Sequence, residues 1–271
     1  MKKFFKSFMT SLMIGIPIVI VVCVFLYMNK DTADSNAFQE ESVHISDSTD
    51  DTDVFPDKED NSDINNDEAV SETSKTAASV TLSFAGDVHF SELVLQNYDK
   101  NGILAIVDDE MLSHMQKSDL FMLNHEFVFS NRGEPMEDKE YTLRNNPKYV
   151  KILQELGTDV VGIANNHILD FGQEAFLDTL DTLENANIPY AGGGRNLSEE
   201  SAPVVQTING QSFAIFAATR VSPSADWYAG NKHPGILQTY DAATLNKAIE
   251  AANGKYDHII VFVHWGVERV E

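Results

Sequence analysis

Four long apolar runs constrain this chain more than any other feature, because each runs out into residues of the same chemical kind. Ser79–Asp87, Asp119–Glu126, Thr158–His167 and Asp257–Gly266 are apolar or β-branched over most of their length. Near their ends stand Asp87, Glu126, the pair Asn166–His167, and His264. Runs this continuous read as strands buried on both faces. Helical patterns separate them at 103–117, 146–156, 172–187 and 241–253, and Pro147 opens the second of these, where proline suits a first turn. A short strand at 188–194 runs into glycines, and 202–220 reads as a hairpin turning at Asn209-Gly210. Alternating strands and helices predict an α/β fold, a layered sheet with covering helices, over residues 78–271.

In sheets of this type, ligands gather outside the carboxyl ends of the strands. Asp87, His89, Glu126, Asn166, His167 and His264 all fall there. There is no Ser-x-Gly elbow and no glycine-rich phosphate loop, and the only cysteine is Cys23. That excludes a thiolate nucleophile, a Cys-bound zinc or an internal disulfide in the domain. Carboxylate, imidazole and amide oxygen together suit one or two divalent metals such as Mn, Zn or Fe. Two such ions sharing a carboxylate would polarise a phosphate ester and activate water.

Simpler roles stand beside these. Asp87 could cap a following helix. Asn165 reads as a turn residue or one lying behind the ligands. Asp170 either caps the helix from Gly172 or orients His167, and capping is the simpler expectation. Arg144 and Arg195 are candidate substrate contacts for an anion, from loops where arginine is usually solvated. His125, His233 and His258 have no partner pattern and are expected at the surface or in packing. Gly192–Gly194 should permit a tight turn.

The N-terminal part has a different character. Lys2, Lys3 and Lys6 precede an apolar stretch from Phe8 to Met28, and a bilayer helix takes roughly 20 residues. No small-residue cleavage site follows, so residues 1–30 are expected to be a cytoplasmic stub and an uncleaved transmembrane helix. The cations put the N-terminus in the cytoplasm and the domain outside, at the cell membrane. Residues 31–77 are acidic and nearly free of large apolar groups, and they predict a disordered acidic tether. The whole chain has a formal net charge of −23, more than half of it in that tether. A surface this acidic argues against nucleic acid as a partner.

"FAGDVHF", "NHEF", "LGTDVVGIANNHILDFG" with the following "AGGGRN", and "HWGVE" resemble the CapA family of capsule or poly-γ-glutamate synthesis proteins, from about Thr81 to the end. That family implies a fold of the calcineurin-like metallophosphoesterase type. Carried over residue by residue, the resemblance makes Asp87 and His89 an Asp-x-His metal pair, although CapA proteins often have an apolar residue at the second place. Glu126 becomes a bridging carboxylate, Asn166 a metal-binding amide, His167 a neighbouring general acid, and His264 a ligand ending a later strand. A final Gly-His-x-His motif would lie beyond Glu271, so the domain is expected to be incomplete at its C-terminus. The implied context is a membrane complex for capsule polymer synthesis or export. The protein would act there as a hydrolase on a phosphoester, as a non-catalytic subunit binding an anionic polymer, or as an inactive truncated product.

Overall fold

The computed structural model describes residues 79–266. The expected anchor (1–30), the acidic stretch (31–77) and Val267–Glu271 lie outside the described residues. The chain divides into two units, Met1–Val70 and Ser71–Glu271, and every described residue belongs to the second. No helix among the described residues is long and apolar enough to cross a membrane.

In chain order the first elements are β1 (Leu82–Val88), α1 (Glu92–Asn101), α2 (Asp109–Lys117), β2 (Leu120–His125), β3 (Val128–Phe129), β4 (Arg144–Asn145), α3 (Val150–Glu155) and β5 (Val160–Gly162). Then follow α4 (Gly172–Asn185), β6 (Tyr190–Ala191), β7 (Gly193–Gly194), α5 (Leu197–Glu200), β8 (Val204–Ile208), β9 (Gln211–Thr219), β10 (Gly235–Ile236), α6 (Ala243–Ala252) and β11 (His258–His264).

Side chains on a strand alternate between its two faces, and here the alternation builds four layers. The first sheet is parallel, in the order β1-β2-β5-β6. Phe121 and Leu123 of β2 face α3 and α4, packing with Ile152, Leu153, Phe176 and Leu180. Leu120 and Met122 face the other way, onto Phe213, Ile215 and Ala217 of β9. That strand centres a second sheet, β11-β9-β8, with β11 parallel to it and β8 antiparallel. The opposite face of β9, with Ala214, Phe216 and Ala218, packs on Leu245 and Ala252 of α6. Burial of each such large side chain contributes roughly 1.5–3 kcal/mol. The α/β class and covering helices follow the sequence reading, but the longer strands occupy two facing sheets, and β3-β4 and β7-β10 form two further two-stranded pairs. A strand apolar on both faces cannot announce whether a helix or another sheet covers it.

Local chemistry explains the other differences. The pattern at 103–117 predicts one helix, but Asp108 interrupts it: its carboxylate accepts from Met111 N at 2.7 Å and starts α2 at Asp109. The hairpin turns at Asn209 and Gly210 with φ of 51° and 79°, the paired left-handed conformation that asparagine and glycine tolerate. At Gly192 the chain bends with φ of 85°, as the expected turn requires of glycine, and a Cβ there would also stand 2.4 Å from the Ala217 carbonyl oxygen.

Candidate metal centre

The face of β2 that meets the second sheet continues, two residues at a time, from Leu120 and Met122 to Asn124 and, just past the strand, Glu126. Asp87 reaches the same face through an irregularity in β1. Phe84 pairs with Met122 and Asp87 pairs with Asn124, so Ala85 and Gly86 stand opposite one residue. A bulge of this kind re-aims the side chain that follows it. From the second sheet, β11 presents Ile260 and Phe262 to the space between the sheets, and His264 is next in that alternation. The acids and the imidazole thus meet where the layer between the two sheets opens to solvent.

Ligand-type atoms of Asp87, Glu126 and His264 lie within 4.8 Å of one another. His264 is the centre of the group. Its Nδ1 is 3.2 Å from Asn124 Nδ2 and 3.4 Å from Asp87 Oδ1. Its Nε2 is 3.0 Å from Asn166 Oδ1 and 3.6 Å from Glu126 Oε1. Asn124 also donates to Asp87 Oδ1 at 2.7 Å. The His264 imidazole, with help from the Asn124 amide, holds the Asp87 carboxyl down at about 2, against the upward pull of partial burial. Burial, followed by the Asp87 charge, pushes Glu126 up to about 7. One carboxylate is thus ready to bind a cation, and the other would gain from one. Two carboxylates, an imidazole and an amide oxygen match the donor set of a divalent transition metal.

Behind this group sits a polar turn. Asn165, fully buried, donates to Asn124 Oδ1 at 3.0 Å and to the His125 carbonyl at 2.9 Å, and accepts from His167 N at 3.0 Å. His167 Nδ1 is 2.7 Å from Asp170 Oδ2. The capping expectation for Asp170 is therefore corrected: α4 begins after Phe171 with no side-chain cap, and Asp170 turns inward to His167. The buried imidazole is a stronger claimant on that carboxylate than the solvated backbone N–H groups of an exposed helix end.

Asp87, His89, Glu126, Asn166, His167 and His264 all line one open cleft of about 640 Å³. His89 does not join the converging donors. Its ring lies edge-on to Phe127 at 6.4 Å, and burial, then the His167 charge, lowers its pKa. The two arginines expected to contact substrate are elsewhere. Arg144 donates to the Arg132 and Gly133 carbonyls and lies over the Phe171 ring, and Arg195 is paired with Asp181 and Glu184. The surrounding carboxylates, which the sequence spreads over distant segments, claim the latter. Sequence reasoning missed Asn124 and Lys139. The period-two spacing from Met122 to Glu126 could have found Asn124. Lys139, which lines the cleft from the segment between β3 and β4, gave no signal.

Residues 81–271 match the family model described as bacterial capsule synthesis protein PGA_cap. The chain is 26% identical over 202 residues to the capsule biosynthesis protein CapA of Bacillus anthracis, covering 70% of this chain and 47% of the relative. It is 29% identical over 196 residues to the PGA biosynthesis protein CapA of Bacillus subtilis, covering 70% and 50%. A probable polyglutamine synthesis accessory protein of Mycobacterium tuberculosis is 29% identical over 158 residues, covering 55% and 42%. The chain spans about half the length of the curated relatives it matches.

Proposed function

The chain belongs to the PGA_cap family of bacterial capsule synthesis proteins, and from that premise we propose that its cleft is a divalent-metal hydrolytic centre serving synthesis or export of a capsule polymer of the poly-γ-glutamate kind. The observation that carries this reading is the convergence of Asp87, Glu126 and His264 within 4.8 Å at the mouth between two sheets. These residues, with the Asn166 amide oxygen, would hold the metal. A bound divalent cation supplies Lewis acidity, polarising a substrate oxygen and acidifying water.

The chain's own groups supply the rest. Asn124 keeps the Asp87 carboxylate turned toward the cleft. Asp170 holds His167 by Nδ1, which leaves Nε2 as the atom that gives a proton to a leaving oxygen. The cleft is lined by the carboxylates of Asp87, Glu126 and Glu140, so an anionic substrate such as a phosphoester needs the metal's charge to enter. The same acidity favours a second reading, in which cations bridge the cleft to an anionic polymer and no bond is cleaved. Partners would be other subunits of a membrane-bound synthesis complex, reached through the apolar span before residue 30.

The test is hydrolysis of bis(4-nitrophenyl) phosphate with added Mn²⁺ or Zn²⁺. We expect metal-dependent turnover, a loss of roughly 10²–10⁴-fold in His167→Ala, and unchanged metal binding in that variant. Metal binding without turnover on any phosphoester would select the polymer-binding reading. For the anchor, the chain in membrane fractions should begin at Met1, and external protease should release the domain. A soluble product starting within 31–77 would overturn it.

A further inference from the structure

The segment between β3 and β4 runs along the cleft, contributing Lys139, Glu140, Tyr141 and Leu143 to its wall. Its attachment to the turn below is concentrated on one residue. Met136 N donates to the Asp170 carbonyl at 2.8 Å, and Leu143 N donates to Asp170 Oδ2 at 2.7 Å. Between them the Lys139 ammonium donates to Asp170 Oδ1 and to the Asn166 carbonyl, and lies 3.1 Å from His167 Nδ1. Asp170 is wholly buried and the Lys139 side chain is 14% exposed. Trp227, itself buried, has its ring centroid 5.4 Å from the Lys139 nitrogen.

A lysine ammonium has three N–H donors and no acceptor. Here the Asn166 carbonyl and Asp170 Oδ1 take two of them, and His167 Nδ1, which carries the hydrogen given to Asp170 Oδ2, stands beside the ammonium without accepting. A buried carboxylate persists only when it is paired and hydrogen-bonded, and Asp170 must hold His167 and the segment together. Lys139 meets both needs from a single position. We propose that Lys139 is a positioning residue. It pins the 136–143 segment to the Asp170–His167 pair, and so fixes both the cleft wall and the direction of the His167 ring. The chemical consequence rests on the hydrolytic reading of the cleft, and the mechanical one does not.

The test compares Lys139→Ala, Lys139→Arg, Asp170→Asn and the double variant Lys139→Met/Asp170→Asn, in the full chain. The first readout, amide hydrogen exchange, needs neither metal nor turnover. Exchange across 136–143 should quicken by about tenfold or more in Lys139→Ala and in Asp170→Asn, with β9 and β11 unaffected. The double variant should open the segment by less than the two single effects combined, because both single variants break the Lys139–Asp170 contact. Should Lys139→Ala fail to fold, the double variant, which removes both charges, carries the same measurement. The second readout is hydrolysis of bis(4-nitrophenyl) phosphate with Mn²⁺. Lys139→Ala should lose roughly 10–100-fold in kcat, the size seen when groups supporting active residues are removed, with KM nearly constant and partial rescue by Lys139→Arg. Unchanged exchange across 136–143 would overturn the proposal. So would a raised KM at constant kcat, which would make Lys139 a substrate contact. An absence of turnover in the unaltered chain would defeat the hydrolytic reading alone, and the exchange result would still decide this one.

Discussion

His125 and His264 both end apolar strands, and their surroundings could hardly differ more. His264 stands at the mouth between the sheets, with Asn124, Asp87, Asn166 and Glu126 all within 3.6 Å of a ring nitrogen. His125 points to the other face of its sheet, where its ring packs 4.0 Å from Phe127 and 4.8 Å from Phe129, centroid to centroid. Neither of its ring nitrogens makes a hydrogen bond of ordinary geometry, and burial drives its pKa down to about 3 against the opposing pull of the Phe127 backbone. One residue along β2 separates this orphan from Asn124 on one side and Glu126 on the other. The lesson is that a buried imidazole does not make a site. The face it occupies, and hence the groups that reach it, decides whether it stands among converging donors or fills a core.

The contrast can be broken most forcefully at the mouth. His264→Ala and Glu126→Ala should each lower Mn²⁺ affinity by more than about 100-fold, beyond the 10–100-fold cost of losing mere supporting groups, while His125→Leu leaves it within a few-fold. Calorimetric titration checks this, and equal losses in all three would erase the distinction between the two faces.

A smaller effect should appear in acid stability. The folded-state pKa of His125 lies below the ordinary value of 6.5, so the unfolded chain binds the proton first. The stability contributed by the neutral ring is present above pH 6.5 and is lost as pH falls toward 3. At pH 5 this loss amounts to about 2 kcal/mol. His125→Leu should remove that slope, at a neutral-pH cost under about 1.5 kcal/mol for a swap of similar volume. Denaturant melts at pH 7.5 and pH 5 measure both, and an unchanged slope would mean that the ring finds a proton partner.

The smallest change concerns the arginines. Arg195→Ala breaks exposed ion pairs with Asp181 and Glu184 and should cost about 0.2–1 kcal/mol. Metal and phosphoester binding should not move in Arg195→Ala or Arg144→Ala. A weakened phosphoester affinity in either would return that arginine to the cleft.

Much was legible in the order of residues alone. Continuous apolar runs with polar ends placed Asp87, Glu126, Asn166 and His264 at or just past strand ends, since backbone periodicity is a local property and the carboxyl end of a strand follows from chain direction; burial on both faces held for β2 and β5 and not for the sheet-edge strands β1 and β11, whose residues are half-buried or exposed. The Asn209-Gly210 turn was legible for the same reason, through local φ preferences. Folding decided whatever depended on contacts between distant segments. The split into two sheets was settled by which apolar face met which. The bulge that turns Asp87 inward was settled by the pairing of β1 with β2. Asp170 abandoned a cap for His167, Arg195 was drawn to carboxylates outside the cleft and Arg144 to backbone carbonyls and the Phe171 ring, and Lys139 came to the cleft from a segment with no periodicity. A side chain's partner across 30 or 130 residues is chosen by the electrostatics and packing of the assembled core, and the sequence near that side chain carries no record of it.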